Sequence, residues 1–323
     1  MCQSVPMSNN ARGAICVLGT GLIGGSLLRA AVASGYEAFG FNRSQSGVDA
    51  AAADGFDVSS DLVAVLRRAA TTDALIVIAV PMPAVDAMLT KIAELAPDCD
   101  ITDVVSIKGP ILEAVRAHGL SARFVGGHPM AGTSQSGWAA TDSELFDGAV
   151  WAVGVDPDTN AASWERVVRL AIDCGSVVVP VVAEEHDQAV ARISHLPHVL
   201  AEVLASSGAT GGALALGLAA GSFRDGTRVA GTAPDLVRAI CEPNATALAD
   251  VLDETIDALI AARTTLRENG DLGAVVETGY AGRTAFENRV QREITDVTPG
   301  KPGWLDDLRR AGQAGGVIRS LDN

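Results

Sequence analysis

Short apolar runs alternate with amphipathic stretches over the first half of the chain. The runs are rich in β-branched residues, and most are separated by helix-length segments rich in Ala, Leu and Arg. Continuous apolar runs indicate strands buried on both faces, and helical connections between them are typical of a parallel sheet. The last runs lie closer together, which favours a mixed orientation at one end of the sheet. The seven runs are AICVLG, EAFGFN, ALIVIAV, DITDVVS, RFVGG, AVWAVGV and SVVVPV.

The pattern changes after Val182, where apolar residues begin to recur three and four positions apart. This spacing predicts helices, and Pro243 with Asn244 divides the later part into two of them. We therefore predict an α/β fold with a doubly wound N-terminal domain over residues 12–182. An all-helical domain over residues 183–323 follows it and ends in an appended helix and tail.

Composition narrows the class of protein. The 323 residues are 48% hydrophobic and 20% charged, and the net charge of −15 makes nucleic acid an improbable partner. No apolar run approaches the ~20 residues of a membrane-spanning helix, and the first residues do not resemble a signal peptide. The five cysteines are scattered singly, which indicates a reducing compartment. We expect a cytoplasmic protein that does not bind membranes.

A glycine turn follows the first predicted strand and opens a helix. Gly19, Gly21 and Gly24 fit the spacing G-x-G-x-x-G, with Leu22 and Ile23 inside the same turn. Such glycines allow a tight turn, a close approach of the backbone to a pyrophosphate and close packing of helix on strand. The setting predicts a dinucleotide site of the Rossmann type. The alternative is a glycine-rich turn that only packs.

The end of the second predicted strand bears on which dinucleotide binds. Asn42, Arg43 and Ser44 stand where an NAD enzyme commonly carries an acidic residue for the ribose 2′-hydroxyl. Arg43 and Ser44 can instead donate hydrogen bonds to a 2′-phosphate. We expect NADP to be favoured, with NAD possible, and we place Val80 after the third long strand in the same site. The alternative is an arginine that only solvates a loop.

A histidine follows another predicted strand of this sheet. Ser106 and His128 come after the runs DITDVV and RFV, so parallel strands would place both on the edge that carries the glycine turn. Pro129 keeps His128 out of helical conformation. An imidazole titrates near neutral pH and can accept a hydroxyl proton as a hydride departs, which favours a general base. The alternative is a polar residue in a turn, without a function.

Several motifs together resemble the prephenate and arogenate dehydrogenases of tyrosine biosynthesis. The resemblance covers about residues 14 to 300, and GGHPMAG with SHLPH is its most specific part. It implies the oxidative decarboxylation of prephenate to 4-hydroxyphenylpyruvate, or of arogenate to tyrosine, with NAD(P). It also implies a homodimer formed by the helical domain. The motifs are GTGLIGGSL, TDVVSIKGP, GGHPMAGTSQSGW, EEHDQAVARISHLPHVLA and FRDGTRVAGTAPDL.

The resemblance also assigns roles to single residues. His128 would accept the proton of the ring hydroxyl, and Ser106 would bind near that hydroxyl and help orient the imidazole. Arg228 would bind a substrate carboxylate, as the fork of a guanidinium can. The substrate side would be completed by His198, Thr133 and, with less support, His195. Two histidines three positions apart could also ligate a metal, but no third ligand is evident, and we expect none.

Some positions depart from the family pattern. Ser134 stands where relatives often have an acid, Val237 where many have tryptophan, and no regulatory domain of the ACT type follows. No residue decides between prephenate and arogenate. The alternatives are a two-domain 3-hydroxyacid or imino-acid dehydrogenase, whose helical domain usually supplies a lysine, and a dinucleotide-sensing module without catalysis. The Gly/Ala-rich segment 211–220 is compatible with a dimer, or with close packing inside one chain.

Overall fold

A computed structural model describes residues 12–133 and 135–321. Six parallel strands form the main sheet, in the order β3-β2-β1-β4-β5-β6. The chain moves outward in one direction and then returns to the far side of β1, which defines a doubly wound sheet. The strands are β1 Ala14–Leu18, β2 Glu37–Phe41, β3 Val58–Ser59, β4 Leu75–Ile78, β5 Ile101–Asp103 and β6 Phe124–Val125.

Helices cover both faces of this sheet. β1 and β4 are buried along their whole length, and alternate residues of each strand belong to two apolar clusters, one on either side. This explains why these strands appear in the sequence as continuous apolar runs. The covering helices are α1 Leu22–Ala33, α2 Gln45–Ala53, α3 Leu62–Thr71, α4 Val85–Leu95 and α5 Gly109–Ala117.

The predicted strand RFVGG contributes β6 to the main sheet and Gly127 to a second sheet, and the last two predicted strands do not extend the main sheet. β7 (Gly127–Pro129), β8 (Val150–Gly154) and β9 (Val177–Val181) form a separate sheet, in which β7 and β8 are antiparallel and β8 and β9 are parallel. The mixed orientation is confirmed, but the expected extension is not, because the chain leaves the main sheet at Gly126. α6 (Ala161–Asp173) connects β8 to β9.

The end of the chain returns to this α/β region. β10 (Arg292–Glu293) pairs with β11 (Gly316–Val317), and α14 (Trp304–Gln313) packs along β9. The Trp304 ring meets the Trp164 ring edge-on, with centroids 5.6 Å apart, and both side chains belong to one apolar cluster. A domain boundary at residue 182 stays a prediction. We expected the tail to be part of the helical domain. It packs instead against the α/β region.

The middle of the second half is helical. A π-helical turn, Ala191–His195, connects α7 to α8, just before Pro197, which has no N–H to continue the helical hydrogen bonds. Short 3-10 turns lie at Arg228–Gly231 and Glu242–Asn244, and the second confirms the predicted break at Pro243. The helices are α7 Ala183–Val190, α8 Leu196–Thr210, α9 Gly212–Gly217, α10 Gly221–Gly226, α11 Pro234–Cys241, α12 Ala245–Asn269 and α13 Gly273–Glu287.

These helices leave much apolar surface uncovered in a single chain. Among the described residues, all but two of the exposed large apolar side chains lie at residue 193 or beyond, the exceptions being Val32 and Val63. Leu214, Leu218 and Tyr280 are each 75% exposed. Exposed apolar side chains in such number are typical of a region that packs against another surface. Within the described residues, no helix is both long enough and apolar enough to cross a membrane.

Candidate active site

The glycine turn has the geometry that a dinucleotide requires. Gly19 has φ of 105°, and a Cβ there would lie 2.6 Å from the carbonyl oxygen of Ala79. A Cβ on Gly24 would collide with the carbonyl of Gly19, so only glycine lets α1 pack this closely. A Cβ on Gly21 would meet nothing within 4 Å. The open side of the turn therefore faces the start of α1, where backbone N–H groups favour phosphate.

The other expected cofactor residues surround this turn. Leu22 and Ile23 form the first positions of α1 and are half-buried. Val80 follows β4, and its Cγ1 would lie 2.9 Å from a Cβ on Gly19. Asn42 donates from Nδ2 to Thr20 Oγ1 at 2.8 Å, which ties the end of β2 to the turn. The carboxyl ends of β2 and β4 therefore both lie beside the glycine turn.

The segment after β2 carries no acidic side chain. Asn42 accepts a hydrogen bond from the Ser44 amide at 2.9 Å, and Ser44 precedes the first turn of α2, which contains no acid. Arg43 is exposed, and it makes no ion pair with another described residue. A guanidinium, a serine hydroxyl and a helix N-terminus thus lie together.

His128 lies in β7 and belongs to a chain of hydrogen bonds. Its Nδ1 is 2.9 Å from Nε2 of His186, and Nδ1 of His186 is 2.8 Å from Oδ1 of Asp187. A carboxylate accepts, so His186 carries its proton on Nδ1, and its Nε2 accepts in turn from Nδ1 of His128. The Nε2 of His128 is then left with a lone pair. With both imidazoles neutral, His128 can therefore accept a proton at Nε2.

Asp187 is fixed by the helix that it caps. Its two oxygens accept from the amides of Lys108 and Gly109, each at 2.7 Å, at the start of α5. Its carbonyl accepts from Nδ2 of Asn244 at 2.8 Å. Burial alone would raise the pKa of Asp187, but the hydrogen bonds from His186 and from the two amides outweigh it and lower the pKa. Asp187 stays ionised and anchors the two histidines.

The histidines themselves are held neutral. Burial first, and then the neighbouring His186, Lys108 and His195, lower the pKa of His128 well below 6.5. Burial also lowers the pKa of His186, against the hydrogen bond to Asp187. A base with a lowered pKa remains unprotonated in mildly acidic solution.

His195 lies in the π-helical turn and is buried. It is 1% exposed, and its Nδ1 lies 3.2 Å from Nδ2 of Asn244. Burial lowers its pKa to about 4. The ring of His195 therefore belongs to the buried network around Asn244, and a contact with substrate stays a prediction.

Ser106 and Thr133 lie near the expected edge with different surroundings. Ser106 is half-buried and makes no hydrogen bond to His128 within the described ranges; the orienting contact that we expected from it comes from His186. Thr133 is exposed, and its hydroxyl accepts from the Gln135 amide at 3.2 Å. Ser134, one of the departures from the family pattern, lies outside the described residues.

The helical region contributes an arginine and a histidine from neighbouring elements. Arg228 begins the 3-10 turn that packs against α8, and α8 carries His198. Arg228 is exposed, and its guanidinium forms neither a hydrogen bond nor an ion pair with any described residue, Asp225 included. The Nδ1 of His198 is buried without a partner. Val237 is half-buried on α11.

Sequence reasoning missed the support around His128. His186 and Asp187 stand in EEHDQ, which resembles an ordinary acidic first turn of a helix, and Lys108 follows a strand like any loop lysine. Only the tertiary structure brings them to His128. The one sequence indication was that EEHDQ and SIK both belong to the motifs of the family resemblance. Among the described ranges, no group of three or more His, Cys, Asp or Glu could hold a metal ion.

Comparison with protein-family models gives two matches. Residues 33–180 match the model described as prephenate dehydrogenase, nucleotide-binding domain, and residues 182–278 match prephenate dehydrogenase, dimerization domain. The first match begins after the glycine turn, so the evidence for that turn is its geometry. The segment from residue 279 onward lies outside both matches.

Individual proteins agree with these matches. The prephenate dehydrogenase of Bacillus subtilis (strain 168) is 32% identical over 258 residues, which are 77% of this chain and 68% of that protein. The cyclohexadienyl dehydrogenase of Zymomonas mobilis is 32% identical over 272 residues, 80% and 90% of the two chains. A crystal structure of a candidate prephenate dehydrogenase from Corynebacterium glutamicum is 47% identical, with a TM-score of 0.90, and covers 96% of this chain and 99% of that one.

Proposed function

The chain belongs to the prephenate dehydrogenase family, and on that premise we propose that it oxidatively decarboxylates prephenate to 4-hydroxyphenylpyruvate with NAD(P). The observation that carries this proposal is His128, held as a neutral base by His186 and Asp187 in a chain whose glycine turn fits a dinucleotide. Arogenate, which would give tyrosine directly, is the alternative substrate. A cyclohexadienyl dehydrogenase is among the relatives, so we retain this alternative.

The residues at the glycine turn fit the phosphates of a dinucleotide. Gly21 leaves open space beside the start of α1, and Gly19 and Gly24 allow the turn that creates it. We assign pyrophosphate binding to these three glycines and to the amides of Leu22 and Ile23, with Val80 against the turn. When bound, the nicotinamide supplies the hydride acceptor.

His128 is assigned the proton transfer. Its Nδ1–H is committed to His186, so its Nε2 accepts the proton of the ring hydroxyl as the C–H bond at the same carbon gives up a hydride. The positive charge that develops on His128 is stabilised through His186 by the ionised Asp187. Because His128 is already neutral and is held by His186 and Asp187, it can act as the base without first losing a proton.

The electron balance closes on the substrate. Loss of the hydride makes a ring ketone, the bond from the ring to its carboxylate then breaks, and CO2 leaves while its electron pair completes the aromatic ring. The oxygen becomes a phenolate, which takes back the proton held by His128. No net proton is released, and formation of the aromatic ring drives the step.

Substrate binding is assigned to side chains of both regions. Arg228 has no hydrogen-bond or ion-pair partner in the described part of the chain, which suits a substrate carboxylate, and a guanidinium can bind both carboxylate oxygens. His198 lies on the adjoining helix with an unpartnered ring nitrogen. Ser106 is assigned to the ring hydroxyl, and Thr133 to the substrate side of the site. Each of these roles is part of the proposal.

We propose that NADP is the preferred cofactor. The exposed Arg43, the Ser44 hydroxyl and the acid-free start of α2 support a 2′-phosphate site. Arg43→Ala should reduce the ratio of kcat/KM for NADP to kcat/KM for NAD, because a charged hydrogen bond worth roughly 1.5–3 kcal/mol is lost. A parent enzyme that prefers NAD, or an unchanged ratio in the variant, would contradict the preference.

We also propose a cytoplasmic homodimer built on the helical region, with residues 12–182 and 183–323 as its two domains. The match to a dimerization domain over residues 182–278 and the exposed apolar side chains beyond residue 193 support the dimer. The four described cysteines are all free and buried, which suits a reducing compartment.

Steady-state assays with prephenate and arogenate, each with NAD and NADP, test the function. We expect NADPH formation from prephenate with release of CO2 and of a product that absorbs as a phenol. Efficient turnover of arogenate alone would replace the substrate. No turnover of either compound would overturn the proposal.

A further inference from the structure

A buried ion pair stands behind the strand that carries His128. Lys108 is 4% exposed and lies in the loop between β5 and α5, and Asp103 is the fully buried last residue of β5. The ammonium of Lys108 donates to the carboxylate of Asp103 and, at 2.6 Å, to the carbonyl oxygen of Gly127. Gly127 directly precedes His128. Neither Lys108 nor Asp103 takes part in the proposed reaction.

The pair holds both polar groups of Gly127. Oδ1 of Asp103 accepts from the Gly127 amide at 3.1 Å, while Lys108 binds the carbonyl of the same residue. A Cβ on Gly127 would lie 2.5 Å from the carbonyl oxygen of Asp103, so the backbones approach as closely as glycine allows. The strand of His128 is thus fixed on one side by β8 and on the other by two opposite charges.

The hydrogen bonds fit a charged pair. Burial raises the pKa of Asp103 and lowers that of Lys108, and the attraction between the two opposes both shifts. Asp103 accepts from Lys108 and from the amides of Gly127 and Val105, which suits a carboxylate and not a protonated acid. A buried pair of this kind is weak evidence for a contribution to stability, because apolar residues of similar volume can often replace it.

Lys108 also contributes charge at His128. The groups that act on the imidazole are Lys108 from the β5–α5 loop, His186 from α7 and His195 from the π-helical turn, with Asp187 behind His186. β8 places Ala152 opposite His128 and adds no charge there. Both histidines are themselves neutral near pH 7, so the ammonium of Lys108, paired with Asp103, is the positive charge among these groups.

We propose that Lys108 is a positioning residue for His128: it holds the strand of the imidazole through the Gly127 carbonyl and disfavours a second positive charge on the ring. The proposal rests on the proposed function, since it gives His128 the task of a base. Two consequences can be separated. The hydrogen bond to Gly127 sets the position of the ring, and the charge sets the pH at which the ring becomes protonated.

Two substitutions separate these consequences. Lys108→Gln keeps a donor for the Gly127 carbonyl and removes the charge, whereas Lys108→Met removes both. The exposed Lys91, paired with Glu94 on α4, provides the matched control Lys91→Met. For each variant we would measure kcat/KM for prephenate against pH, the affinity for NADPH and the thermal unfolding temperature.

We expect the acidic limb of the pH profile to move to higher pH in Lys108→Gln, because removal of a nearby positive charge favours protonated His128. Lys108→Met should show the same shift together with a fall in kcat of about 10²-fold, the scale expected when a reacting group is misplaced by about 1 Å. NADPH affinity should hold in both, and Lys91→Met should match the parent.

An acidic limb unchanged in Lys108→Gln, or a kcat of Lys108→Met within about twofold of the parent, would overturn the proposal. If Lys108→Met fails to fold because Asp103 is left unpaired, the double variant Asp103→Asn, Lys108→Gln supplies an uncharged pair on which the same limb is measured. Failure of the proposed function is a different result, because the parent itself would then oxidise neither prephenate nor arogenate.

Discussion

The two halves of this molecule bury their apolar residues in opposite ways. The α/β region, with the returning tail, contains two clusters of buried side chains on the two faces of its main sheet. The helices between residues 196 and 287 contain few fully buried apolar residues and present many exposed ones. The first half can therefore form its core within one chain, whereas the second half needs another surface.

The residues assigned to the reaction come from both halves, and their surroundings differ. The base, His128, is held by a hydrogen bond to the buried His186, which in turn contacts Asp187 on the same helix, α7. The substrate-binding candidates of the helical region differ, since Arg228 is exposed and His198 is half-buried. We therefore expect catalysis to depend on the ordered network and substrate affinity to depend on the helical region.

The largest expected effect concerns association. Val276 is 61% exposed on α13, and Val276→Glu should convert a dimer of twice the 33.0 kDa chain mass into monomers, because a charge would be buried in an apolar interface. Analytical ultracentrifugation measures this directly. Val63→Glu, on an exposed apolar residue of the α/β region, is the control and should stay dimeric. A dimeric Val276→Glu would show that α13 lies outside the interface.

His128→Asn tests the chemical contribution of the α/β region. Asparagine cannot accept the proton, so kcat should fall by about 10²–10⁴-fold while NADPH affinity is kept. His118, which contacts Asp86 at the surface end of α5, gives the control His118→Asn, with turnover expected at the level of the parent. Near-normal turnover of His128→Asn would remove His128 from the mechanism.

Arg228→Lys tests the helical contribution. A lysine keeps the charge but loses the two parallel hydrogen bonds to a carboxylate, so the KM for prephenate should rise by about tenfold with kcat little changed. Arg224→Lys, an exposed change on α10, should leave KM as in the parent. An unaltered KM in Arg228→Lys would place the substrate carboxylate elsewhere.

The smallest expected effect is on stability in acid. Burial lowers the pKa of His195 to about 4 from 6.5, so between these pH values the unfolded chain binds a proton that the folded chain does not. The free energy of unfolding should therefore fall as pH decreases through this range. His195→Asn, which can still accept from Asn244, should lose less stability over the same range in urea unfolding. Equal losses in parent and variant would mean that His195 titrates normally.

The sequence predicted the parts of the fold that depend on local pattern. The strands around Cys16 and Ile76 are continuous apolar runs because both of their faces are covered, and glycine spacing predicted the turn at Gly19. The two-residue strand β3 is too short to leave a pattern. The separation of β7–β9 into a second sheet depends on pairing between distant segments, which apolar runs do not specify.

The site divides in the same way. His128 was a candidate because Gly and Pro flank it after a strand, a local feature. The support from His186, Asp187 and Lys108 joins residues up to 79 positions apart, and nothing in their neighbouring residues distinguishes them from surface charges. Ser106 and His195 were candidates by motif. Among the described residues His128 is hydrogen-bonded by His186 and not by Ser106, and His195 is buried. Their roles at the substrate stay predictions.

The most direct test of the account is a crystal structure of the protein with 4-hydroxyphenylpyruvate and oxidised cofactor. The account predicts the phenol oxygen within hydrogen-bonding distance of Nε2 of His128 and the product carboxylate on Arg228, both beside one nicotinamide ring. A product bound with either end away from these two side chains, or with Nε2 of His128 turned toward His186, would contradict it.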